Sequence, residues 1–244
     1  KLAAEQKPGL LRAELRQVCR VDNAGLEPVP APRGEPNYGP HWVTCSFGKE
    51  SLPVLLLYPK NAKKVPVVVG ICQEGPAHFL RERAEAIAAL YEAGVAVCLP
   101  QFWGTGADRT GDGRSRGSAA NSYSASEQML SGSFLGKRLR QLEGVSAWLQ
   151  TNPQLDGTQV AYWGESFAPV NKPDARLGVP HDLTQPKHVE PMAGFLASVG
   201  ALQNKSVKAV VVRGGLSGYH TILNSPFIHV PHETVPIGVL KAGD

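Results

Sequence analysis

The chain is short of several things, and each shortage removes a class of function. Its 4 cysteines, Cys19, Cys45, Cys72 and Cys98, show no Cys-x-x-Cys spacing. A zinc ligand set or a redox pair is therefore not expected, and buried free thiols acting as small hydrophobes are. No apolar stretch approaches the roughly 20 residues that a membrane-spanning helix needs, and no signal-peptide pattern is seen. Charge of one sign is scarce too. With 25 Lys and Arg against 21 Asp and Glu, the net charge is only +4. The basic runs Lys63-Lys64 and Arg81-Glu82-Arg83 are short and mixed, so a solvated surface is expected there and a nucleic-acid partner is not. Gly104-Thr105-Gly106 and Gly111-Asp112-Gly113 lack the spacing of a dinucleotide or Walker loop, so no nucleotide cofactor is expected. No internal repeat is present. The sequence begins at Lys1 and not at Met, which suggests a processed chain, a trimmed one or a fragment.

What is there fits a globular domain. The 42% hydrophobic and 19% charged fractions are ordinary, and 244 residues suffice for one large domain or two small ones. Leu11, Leu15 and Val18 suggest an amphipathic helix over 10–20. Pro/Gly-rich sequence over 27–40 reads as an extended connector. Residues 1–40 are thus expected to form an N-terminal helix and connector, and 41–244 a core. Trp42–Phe47 and Leu52–Tyr58, split by Gly48-Lys49-Glu50, suggest an antiparallel hairpin. Val65–Ile71 reads as a strand buried on both faces. A helix over 81–92 ends at Gly94, and a strand follows over 95–99. The Gly/Ser-rich stretch 104–126 reads as a long loop. Next come a helix over 127–149, a strand reaching Ser166, a proline-rich excursion over 169–191, a helix over 192–202 and another buried strand over 207–213. Strands alternating with helices mean a mostly parallel sheet covered on both faces, an α/β fold.

The strand before Ser166 carries the strongest functional signal. Val160-Ala161-Tyr162-Trp163 runs into Gly164-Glu165-Ser166-Phe167-Ala168, a Gly-x-Ser-x-Ala turn. The positions two before and two after such a serine must be small, because a tight turn out of a strand leaves no room for bulk. That turn leaves the hydroxyl exposed above the sheet. Asn152-Pro153-Gln154-Leu155-Asp156-Gly157-Thr158 reads as the turn that stops a helix and starts this strand.

On these residues, with the hairpin entry and Ile71-Cys72-Gln73-Glu74-Gly75, the chain resembles an α/β-hydrolase, in particular the acetyl-xylan-esterase and dienelactone-hydrolase-like branch. The resemblance spans about 42–244. It implies a serine esterase acting on acetylated carbohydrate or other small esters, without cofactor or metal, and a secreted or periplasmic home. Ser166 matches the nucleophile. The oxyanion-hole amides map onto Phe167 and onto Gln73 or Glu74. Gly75 would let that loop approach closely. Where related hydrolases carry Arg-Gly-x-Gly, this chain has Trp103 in the arginine position, which suggests an aromatic wall or core packing.

The resemblance also implies a histidine and an acid on loops after later strands. Only one strand follows the Ser166 strand, so the last strands of the sheet are expected to be missing. Within the chain, His220 is the candidate base. His181 with Asp182 could line a pocket. His78 could face substrate from a helix start. His229 and His232 suggest packing more than a metal site. Asp174 and Glu190 read as surface acids, and Glu165 as a brace for the turn. The alternative is a non-catalytic hydrolase-like module or an inactive fragment.

Overall fold

The computed structural model describes residues 8–22, 25–30, 38–60, 63–111, 118–168, 187–188, 190–224 and 228–242. Helix α1 (Pro8–Cys19) leads into the hairpin β1 (Gly39–Phe47) and β2 (Glu50–Tyr58), followed by β3 (Val65–Ile71). Then come α2 (Pro76–Glu82), α3 (Ala84–Glu92), β4 (Ala96–Pro100), α4 (Ala119–Met129), α5 (Phe134–Thr151) and β5 (Leu155–Glu165). The described remainder holds β6 (Lys187–His188), α6 (Met192–Gln203), β7 (Val207–Arg213), α7 (His220–Asn224), β8 (Ile228–His229) and α8 (Val239–Ala242).

Six strands form one sheet in the order β1-β2-β4-β3-β5-β7, and β6 pairs with β8 separately. The β1–β2 and β2–β4 pairs are antiparallel, while β3–β4, β3–β5 and β5–β7 are parallel. Alternation along β2 sends Val54, Leu56 and Tyr58 to one face and Leu55 and Leu57 to the other. The first face carries the larger core, with Leu15 of α1, Leu135, Leu139 and Leu142 of α5 and Leu196 of α6. The second is closed by Phe79 of α2 and Ile87 of α3. All four cysteines are free and buried.

Three expectations need correction. The helix expected over 81–92 is broken at Arg83 (φ −124°, ψ 26°), whose side chain is committed elsewhere, as described below. The loop expected over 104–126 already turns helical at Ala119, and the helix expected over 127–149 is two helices. Ser131 at φ 65° stops α4, and the Ser133 hydroxyl restarts the chain by accepting from the Gly136 amide at 3.2 Å, an N-cap. Finally, β7 is not buried. It has β5 on one side only, and Val210, Val211 and Val212 are 41–48% exposed. An apolar run looks alike in the middle of a sheet and at its edge, because periodicity does not report the neighbours.

Candidate active site

Parallel strands end on one edge of the sheet, and that is where the expected site residues collect. Gln73 and Glu74 follow β3, residues 101–106 follow β4, Ser166 follows β5 and Gly214 follows β7. The first two loops are in direct contact, with the Gly106 amide donating to the Gln73 carbonyl at 3.0 Å. Gly75 has φ 84°, and a Cβ there would lie 2.8 Å from Gly106 Cα. Only glycine meets both demands, so the close approach expected of Gly75 is observed.

Ser166 is half-buried at the end of β5. Its amide donates to the Arg213 carbonyl at 3.0 Å, and its Oγ accepts from the Ala168 amide at 3.3 Å. A Cβ on Gly164 would lie 2.2 Å from the Ala193 carbonyl oxygen at the start of α6. A Cβ on Gly214 would meet Ser166 Cβ at 3.1 Å. Glycine at 164 and at 214 is therefore required beside the serine. No helix begins over 166–168, and Ser166 is not among the described non-glycine residues with positive φ. The turn is held from the sides, by β7 and the start of α6.

Glu165 braces this turn. It is 3% exposed, and it accepts from Trp163 Nε1 at 3.0 Å and from Arg83 Nε at 2.9 Å. A second Arg83 nitrogen also reaches it, and Arg213 Nε lies 3.5 Å away. Hydrogen bonding to Glu165 raises the Arg83 pKa above its ordinary value. The Arg83 guanidinium also lies 5.1 Å from the centre of the Phe167 ring, a cation–π contact. Phe167 packs edge-on against His78 and Phe79, at 5.2 and 5.7 Å between ring centres. The kink between α2 and α3 thus aims one arginine at both neighbours of Ser166.

Two buried ionic clusters support the loops after β3 and β4. In the first, Gln73 Nε2 donates to Glu233 at 2.8 Å and Arg138 donates to Glu233 at 3.2 Å. Arg138, fully buried, also donates to the Trp103 and Gly104 carbonyls, both at 3.0 Å. Trp103 itself is exposed and packs on Phe134, with Lys137 above its ring. A guanidinium from α5 therefore holds the loop in which Trp103 replaces the usual arginine. Its sequence signal is a charge inside the apolar stripe Leu135, Leu139, Leu142.

In the second cluster Arg109 pairs with Glu190 at 2.9 Å, and the carboxyls of Glu74 and Glu190 hydrogen-bond to each other. Two carboxylates in contact cannot both be ionised. Burial, reinforced by Glu190, raises the Glu74 pKa to about 7. Glu190, expected as a surface acid, is 1% exposed. It is buried because Arg109, from the loop after β4, neutralises it.

The histidines are spread out. His78 Nδ1 lies 2.6 Å from an Arg81 nitrogen, and burial followed by Arg81 lowers its pKa. His232 Nδ1 lies 3.1 Å from Ser124 Oγ, and His41 Nδ1 lies 3.0 Å from the Gly39 carbonyl. His220 is exposed at the start of α7. The contacts of His41, His78 and His232 are thus with groups other than the Ser166 hydroxyl. Asp174, His181 and Asp182 lie outside the described residues, as do the side chains of His188 and His229. Beside Gly214, an apolar cavity of about 330 Å³ opens between Phe195, Val212, Leu216 and Tyr219.

No protein-family profile and no curated protein sequence matches the chain. Solved structures do. A candidate acetyl xylan esterase from Bacteroides fragilis superposes with a TM-score of 0.55 at 16% identity, over 83% of this chain and 51% of that one. Acetyl xylan esterase 1 from a Thermoanaerobacterium species gives 0.49 at 13% identity, over 88% and 60%. The chain thus spans about half to three-fifths of the length of these structures. With strand order β1-β2-β4-β3-β5-β7 and the serine turn at the carboxyl end of β5, the chain has the α/β-hydrolase fold.

Proposed function

We propose that the chain carries the nucleophile half of a serine esterase. Ser166 Oγ attacks the ester carbonyl, the alcohol leaves with a proton, and water then releases the acid from the acyl-serine. The amides of Phe167 and of Gln73 or Glu74 hold the oxyanion; losing one such donor typically costs roughly 3–4 kcal/mol of transition-state stabilisation. The observation that carries the reading is the position of Ser166, beside two glycines required by packing and beside loops tied together through Gly75 and Gly106. Small carboxylic esters, acetylated carbohydrate among them, are the substrate class. The apolar cavity beside Gly214 would take the acyl or alcohol group.

A second reading is favoured by one observation. The Ser166 hydroxyl accepts from Ala168, and three of the described histidines are engaged elsewhere. A serine without a base is a poor nucleophile, and the chain would then be a hydrolase-like binding module. Labelling with a fluorophosphonate probe decides between the two, since such probes need an activated serine. Labelling that disappears in Ser166→Ala supports the esterase, with His220→Ala next to be made. A chain that stays unlabelled is a binding module or an inactive fragment of a longer hydrolase.

A further inference from the structure

The apolar cavity of about 330 Å³ begins one residue from the serine turn. Gly214 abuts Ser166, and Gly215, next in the chain, is part of the cavity wall. From there the wall follows α6. Gly194, Ser198 and Leu202 stand at every fourth residue of that helix, which places them on one stripe. The Gly194 end is the one near the serine, since a Cβ on Gly194 would lie 3.5 Å from Gly215 Cα. At 1.5 Å per residue the stripe from Gly194 to Leu202 is about 12 Å long. A round space of 330 Å³ would measure only about 9 Å across, so the cavity is drawn out along α6.

The wall is poor in polar groups as well as long. Leu11 and Leu15 of α1 and Val239 of α8 close it opposite α6, and none of its described residues is charged. Its polar side chains are Ser198, Ser217 and Tyr219. The Tyr219 hydroxyl donates to the Thr234 carbonyl at 2.7 Å, and Ser217 Oγ lies 3.2 Å from Thr221 Oγ1. A sugar ring, with a hydroxyl on almost every carbon, would give up its hydrogen bonds to water here and regain few. An acetyl group would leave most of the length empty. The volume is roughly twice the ~150 Å³ of an apolar cavity that accommodates benzene.

We propose that this cavity holds an unbranched hydrocarbon chain of the substrate, on the order of eight carbons long. The esters cleaved at Ser166 are then medium-chain alkyl esters, with the chain running from the serine towards Leu202. The inference rests on the reading of Ser166 as the nucleophile. The hydrocarbon belongs to the acyl group or to the alcohol, since both leave from the same carbonyl carbon.

Hydrolysis of p-nitrophenyl esters from acetate to decanoate by the whole chain tests this. kcat/KM is expected to rise about fourfold for each CH2 added between butyrate and octanoate, as for burial of one methylene, and to level off beyond. Ser198→Phe, at an exposed position halfway along the stripe, should lower the octanoate-to-butyrate ratio by roughly tenfold, the loss of about two methylenes. The series on the unaltered chain decides the matter if that variant does not fold. Methyl octanoate and octyl acetate separate the sources: the faster of the two shows whether the chain lies on the acyl or the alcohol side. If acetate is cleaved and neither long chain brings a gain, the proposal is overturned and the esterase stands. If no ester is cleaved, the esterase reading has failed, and isothermal titration with octanoate against acetate decides the cavity by itself. Saturable binding of octanoate alone supports a hydrocarbon site, and no binding, or equal binding of both, overturns it.

Discussion

β3 and β7 have four valines each and opposite situations. Val-Pro-Val-Val-Val-Gly-Ile and Val-Lys-Ala-Val-Val-Val-Arg are both seven-residue strands dominated by valine, and both end on the edge that carries Ser166. Five of the seven β3 residues are buried, while six of the seven in β7 are exposed. The contrast extends past the strand ends. β3 runs into Gln73, tied to Glu233 and Arg138 in a fully enclosed cluster, whereas β7 runs into Gly214 and Gly215 and open loop. Sequence decides that a segment is a strand; its neighbours decide what the strand is worth. A buried apolar side chain contributes about 1.5–3 kcal/mol relative to leaving it exposed, so β3 carries stability that β7 does not.

Three measurements break or sharpen this contrast. The largest effect is expected at the strand ends. Arg138→Ala leaves Glu233 buried beside a neutral amide and should cost about 3–5 kcal/mol in urea unfolding. Arg213→Ala, on a side chain 58% exposed, should change stability by less than about 0.5 kcal/mol. Equal losses would mean that the two ends are held alike. Within the strands, Ile71→Ala should cost about 2–5 kcal/mol and Val211→Ala under about 0.5. If the valine proved as costly as the isoleucine, something covers β7 in solution.

The third measurement concerns Glu74, next after Gln73. Its pKa is about 7 in the fold against an ordinary 4.5. Below 4.5 the group is protonated in both states. As pH rises towards 7 the unfolded chain releases the proton while the folded chain keeps it, so stability falls across that window and levels off above it. Glu74→Gln should lack this fall. The check is the stability difference between the two proteins at pH 5 and pH 8, and an identical slope would remove Glu74 as its cause.

The elements most legible in the sequence were those with strong local grammar. The hairpin turned on Gly48-Lys49-Glu50, and the Asn-Pro-x-x-Asp turn before β5 set where that strand starts. The Gly-x-Ser-x-Ala spacing led to Ser166. The rest depended on partners far along the chain, which no local pattern reports. Arg83 interrupts a good helical sequence because Glu165, 82 residues later, takes its guanidinium. Glu190 is buried because Arg109 neutralises it. The exposure of β7 follows from strand order, to which its valines are blind. Around the candidate site, the serine turn and its brace Glu165 were readable, and the acid and arginine clusters beneath the neighbouring loops were not.

Gly164 has a consequence for how such serines are recognised. The space its missing side chain would need is filled by the backbone of α6. The glycine is thus a condition of the architecture and would be selected even in a descendant that had lost its chemistry. A search that weights this glycine as heavily as the serine will gather retired enzymes along with working ones. In this fold the motif records ancestry at one letter and employment at another.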